Sequence, residues 1–175
     1  MLKFTHLLAA AALGITGVGA AGQPGPAPDD AQIAHIAYTA GNLDVAAAKV
    51  ALRKSRNSAV RSFARTMIRD HEAVNVKALA LVKALKVTPQ DNATSQALTK
   101  SANETLTRYN RLRGAAFDRA YVRNEVAFHK TVNGALETTL IPSAKNAQLK
   151  SLLQTGLTLF REHQGHAEHL AARLK

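Results

Sequence analysis

The chain has 175 residues and no cysteine, which excludes disulfides, thiolate zinc sites and cysteine catalysis. Lys and Arg number 23 against 12 Asp and Glu, a formal charge of +11. No helix-turn-helix, zinc-finger or aromatic RNA-binding signature accompanies that charge, so nucleic acid is not the expected partner. An anionic envelope component is the electrostatic partner that remains, beside the plainer reading of a basic face that keeps the protein in solution.

In chain order, residues 1–20 read as a secretory signal. Lys3 gives a basic start, an apolar run follows from Leu7 to Val18, and small residues around Ala20 suit cleavage. The run is short and ends in the Pro/Gly-rich segment 21–29 rather than in a stop-transfer cluster, so an anchor across the membrane is not expected in the mature form. Residues 30–175 then form one domain, large enough for a sizeable core.

Asp29 and Asp30 precede a first helix from Ala31 to about Lys54, with Ile33, Ile36, Ala40, Leu43, Ala47 and Val50 at helical spacing. A second helix is predicted from Ser58 to Lys86, ending before Pro89. Its seam (Val60, Ala64, Met67, His71, Val74, Ala78, Leu81, Leu85) steps by four and three throughout. A polar stretch, Gln90 to Ser95, leads to a short connecting helix from about Gln96 to Leu112. After Gly114 a further helix spans Ala115 to Leu140, stopped by Ile141-Pro142, with Val122, Glu125, His129, Val132, Leu136 and Leu140 on one face. The last helix spans Ala144 to Leu174, and His163 falls on its seam between Phe160 and Ala167. The predicted fold is an all-α, ferritin-like antiparallel four-helix bundle with an additional short connecting helix.

Three histidines therefore lie on seams meant for apolar residues. Counting from the turn near Arg56, Asp44 and His71 fall within about one helical turn of the same height. Counting from Pro142, so do Glu125 and His163. Ionisable groups on core faces are costly unless paired, and a mid-bundle set of imidazoles and carboxylates is how bundles build metal sites. Asp44, His71, Glu125, His129 and His163 are the candidate metal ligands, and the donor set suits a transition metal ion such as zinc, iron, copper or nickel without choosing among them. Each residue also has a plainer reading. A single seam histidine is commonly a hydrogen-bonded core residue, and Glu125 has Arg123 and Lys130 nearby in sequence. Asp70 and Glu72 are expected on a solvated face, and His169 is expected to point outward.

No Gly-rich phosphate loop, nucleophile elbow or HExxH helix is present, so an enzyme is not the expected class and no organic cofactor is implied.

VRSFARTMIRDHEAVN in the second helix, FDRAYVRNEVAFH in the fourth and FREHQGHAEHL in the fifth resemble the exported bacterial family known as domain of unknown function 4142. The resemblance covers nearly the whole mature chain. It implies a ferritin-like bundle in the periplasm or outer envelope, with recurring histidines at the positions of His71, His129 and His163 and an acidic residue at that of Asp44. It supplies no reaction. Di-iron bundles use Glu-x-x-His pairs, and here Ile68 and Phe160 stand where those glutamates would precede His71 and His163. A mononuclear, histidine-rich site is therefore expected rather than a di-iron oxidase.

Overall fold

The computed structural model describes residues 27–174; the predicted signal peptide lies outside the described residues. Five helices form among the described residues, and all but the fourth begin where a side-chain cap satisfies free N–H groups. α1 (Asp30–Lys54) is capped by Asp29, whose side chain accepts from Gln32 N while Gln32 returns a bond to Asp29 N. Asp30 caps elsewhere, accepting from the backbone N–H groups of Lys145 and Asn146 at 2.8 and 2.9 Å. α2 (Ser58–Ala84) is capped by Asn57, and α3 (Ala93–Arg111) by Asn92. α3 starts ahead of the predicted Gln96, because Asn92 and Ser95 close a reciprocal cap within the stretch expected to be polar loop.

The predicted stop at Pro142 is not where the fourth helix ends. α4 (Gly114–Ala135) continues through a π-helical turn, Leu136–Leu140, into a last turn, Ile141–Ser143. The N–H of Ile141 reaches back to Leu136 O, and Pro142 then occupies the first turn of the following segment, where its missing N–H costs little. α5 (Ala147–Arg173) starts three residues later than predicted, capped by Asn146.

α1 packs lengthwise on α2, and α4 on α5; α2 against α5 and α1 against α4 close the bundle. α1 and α5 run one way, α2 and α4 the other, so α2 and α4 are joined by a long crossover, the ferritin-like arrangement. α3 is that crossover, lying mainly on α1 and touching α4 less.

The core is split. One apolar cluster, around Ala51, Phe63, Met67, Tyr121 and Leu170, fills the end where α1 turns into α2. Another, around Ile33, Ile36, Leu140, Leu149 and Leu153, fills the opposite end. Asp44, His71, Glu125, His129 and His163 fall between these clusters, whereas buried Asp118 stands between Phe117 and Tyr121 of the first.

The second cluster is not solid. An apolar chamber of about 130 Å³ sits inside it, bordered by Val74 and Ala78. The predicted seam of α2 is fully buried only as far as His71; Val74, Ala78, Leu81 and Leu85 are half-buried, the first two bordering the chamber.

Two glycines respond oppositely to a methyl group. At Gly41 a Cβ would collide with the Asn75 amide, which donates to Asn42 Oδ1 at 3.0 Å; α1 and α2 approach closely there. At Gly156 a Cβ would meet Phe160 Cε2 at an ordinary 3.5 Å. Gly156→Ala is therefore expected to stabilise the fold by about 0.5–1 kcal/mol through helix propensity, and Gly41→Ala to destabilise it. Urea midpoints of the two variants, moving in opposite directions, check this.

Candidate metal centre

Asp44 comes from α1, His71 from α2, Glu125 and His129 from α4 and His163 from α5. All five are buried, Glu125 completely. They form two overlapping groups of three. Ligand atoms of His71, His129 and His163 lie within 4.8 Å of one another, as do those of Asp44, Glu125 and His129. His129 belongs to both, and Asp44 joins the histidine group directly: its Oδ2 is 3.0 Å from His71 Nε2 and 3.4 Å from His129 Nε2.

Two of the rings are held from behind. His129 Nδ1–H donates to the Glu125 carbonyl oxygen, one turn earlier, at 3.0 Å. That bond assigns the proton to Nδ1 and leaves Nε2 as a bare lone pair. His163 Nε2–H donates to Asp70 Oδ2 at 3.0 Å, leaving Nδ1 bare. Asp70 is in turn held by Arg69, at 2.7 Å from Nε and 3.1 Å from an Nη nitrogen. Asp70 is thus not the solvated-face residue expected from sequence. It lies one position before His71, and α2 and α5 pack so that it faces α5 while His71 faces the interior.

The inward atoms have no such partners. His129 Nε2, His163 Nδ1, both His71 nitrogens, Asp44 Oδ2 and both Glu125 oxygens are buried without a hydrogen bond. The 3.0 Å contact of His71 with Asp44 is an ion-pair approach that helps hold the Asp44 carboxyl low. Unpaired buried polar atoms each cost about 1–3 kcal/mol, and here they point together.

The imidazole rings form a near-equilateral triangle, with centroids 5.3, 5.5 and 5.7 Å apart. Phe160 closes one side, stacked on His71 at 4.7 Å and 9°. Sequence spacing had placed Phe160 on the seam of the last helix and in the position of a di-iron glutamate, with no sign of its stacking on His71.

Burial by itself would raise Asp44, but His71 and His129 outweigh it and hold its carboxyl well below the usual range. Burial, and then the Asp44 charge, push Glu125 well above its ordinary value. The two carboxyls thus divide into one anion and one neutral acid. Burial lowers His129, with Asp44 opposing, and takes His163 down to about 4 despite its bond to Asp70. In metal-free protein the His163 ring signals are expected to titrate at about 4 rather than near the ordinary 6.5, checked by NMR. His129 and His163 then offer neutral nitrogens near neutral pH, the state metal ions require.

A cleft of about 230 Å³ between α1, α3 and α4 reaches Asp44 and Glu125, with Ser101, Thr105, Asn124 and Thr131 among its walls. It exists because the crossover α3 rests on α1 and leaves α4 partly uncovered. His166 and His169 are exposed and stand outside the cluster.

No helix among the described residues is long and apolar enough to cross a membrane. No curated protein and no solved structure matches the chain. A family model does: the description is domain of unknown function (DUF4142), the match runs over residues 16–170, and the chain belongs to that family.

Proposed function

We propose that this protein is an exported bundle that binds one transition metal ion through His71, His129, His163 and Asp44, with Glu125 beside it, in a metal-handling or stress-related role. The observation that carries the reading is the convergence of unpartnered lone-pair atoms from four helices, two of them on rings whose far nitrogens are already bonded. Histidines that ligate metals are oriented in this way, by a carbonyl or carboxylate on the other ring nitrogen. Three imidazoles and one carboxylate suit zinc, iron, copper or nickel. The cleft beneath α3 offers an aqueous approach to the carboxylate edge.

The test is elemental analysis of the natively exported protein, joined to melting curves with zinc, copper, nickel and iron(II). Near-stoichiometric metal and a raised melting temperature are expected. Sub-stoichiometric metal after mild loading, with no shift from any of the four ions, overturns the reading.

The carboxylate behind His163 gives a finer test. Asp70→Asn is expected to weaken metal binding about 10–100-fold while the metal-free melting temperature changes little, because the residue orients a ligand without being one. Competition with a chromophoric chelator measures it. An unchanged affinity would show that the Asp70–His163 bond serves packing alone.

A further inference from the structure

The end of the bundle beyond the imidazole cluster is built from side chains too small to fill it. Ala37 and Ala40 from α1, Ala78 from α2, Ala135 from α4 and Gly156 from α5 border the chamber of about 130 Å³. Leucines recur in its remaining walls, among them Leu136 and Leu140, the two ends of the π-helical turn. Turns of this kind widen a helix locally and are frequent at functional sites. Polar groups on its border are few. Asn75 already bonds Asn42, and Thr94 and Thr131 lie at exposed positions on the helix surfaces.

Water held in such a space needs two to four polar partners, which this lining does not supply. A closed apolar void of about 150 Å³ stays dry and takes up benzene or xenon; the present chamber is of similar size and apolar lining, and reaches the surface at Thr94 and Thr131. Phe160 sets its position relative to the rest of the molecule. The ring lines the chamber and also stacks on His71, so one aromatic ring separates the void from the imidazole triangle.

We propose that this chamber is a binding site for a small non-polar molecule no larger than benzene, a class that includes the diatomic gases, held against the Phe160 wall of the histidine cluster. The class follows from the lining and the volume. Ions and hydrated solutes would leave their water without gaining partners, and a long acyl chain exceeds the space. Binding in the chamber is independent of any ion. The further consequence, that the occupant waits beside a metal, rests on the metal-binding reading above.

The experiment uses metal-free protein titrated with benzene, and separately pressurised with xenon, followed by methyl NMR of the chamber leucines. Saturable shifts at Leu136 and Leu153 are expected, together with a benzene-dependent rise in melting temperature. Gly156→Leu and Ala78→Leu, on different helices, extend side chains into the void. Each is expected to weaken benzene binding at least tenfold while helical circular dichroism and metal loading are retained. A Cβ at Gly156 meets only ordinary contacts, so the first variant begins without a backbone clash. Shifts that fail to saturate in the native chain overturn the proposal, as does benzene affinity unchanged in both filled variants. Because no step uses an ion, a chain that binds no metal still passes or fails here on its own terms.

Discussion

His129→Ala is expected to abolish metal-dependent stabilisation. In the native chain, an ion present at 100 times its Kd contributes about 2.7 kcal/mol, which for a domain of this size raises the melting temperature by roughly 5–10 °C. The variant should show no shift. His129 is chosen because it alone belongs to both groups of three convergent ligands and because its tautomer is assigned by the bond to the Glu125 carbonyl. Losing a ligand should cost more than the about 10–100-fold expected for losing the carboxylate behind one. Isothermal titration with each ion, beside melting curves, gives the comparison. A variant that binds as tightly as the native protein would place the ion elsewhere or nowhere.

The second large effect is expected in the opposite direction. The quadruple replacement Asp44→Val, His71→Leu, Glu125→Leu and His129→Leu should make the metal-free protein more stable, by about 1–4 kcal/mol, while removing metal binding altogether. The polar layer separates two apolar clusters, and its inward atoms are buried without hydrogen bonds. Replacing buried ionic groups with apolar residues of similar volume is often neutral or stabilising by that amount, whereas removing one partner alone strands the other. Urea unfolding in the presence of a chelator measures the change. If the quadruple variant is less stable or loses cooperative unfolding, the layer serves to specify the fold, and its polar groups need no ion to account for them.

Both expectations depend on residues that the sequence placed on the correct faces. Asp44, His71, Glu125, His129 and His163 were legible because helical periodicity fixes which positions face inward, and counting from a turn fixes their height along a hairpin. The starts of α1 and α2 were legible for similar reasons, since Asp29 and Asn57 stand where a side-chain oxygen can meet free N–H groups, whereas α5, capped by Asn146, starts three residues after the predicted Ala144. Pro142 misled, because the rule that proline ends a helix is local, whereas the π-helical turn before it is set by how Leu136 and Leu140 pack across the bundle.

Asp70 shows the limit most clearly. Nothing within α2 distinguishes it from Glu72, which stays exposed and pairs with Lys49 at 2.9 Å. The difference arises from α5, whose His163 comes within 3.0 Å of Asp70 across 93 positions of chain.

The sequence by itself determined the helices, their inward faces and the presence of ionisable residues midway along them, since all of these follow from interactions between residues a few positions apart. The tertiary structure alone decided which ring nitrogens are bonded and which are bare, that Phe160 lies on His71, and that small side chains leave a chamber beneath it. These depend on the packing of α2 against α5 and α1 against α4, pairs brought together by closure of the bundle rather than by any turn joining them. Local periodicity can orient a side chain toward the core, but only the approach of another helix decides what it meets there.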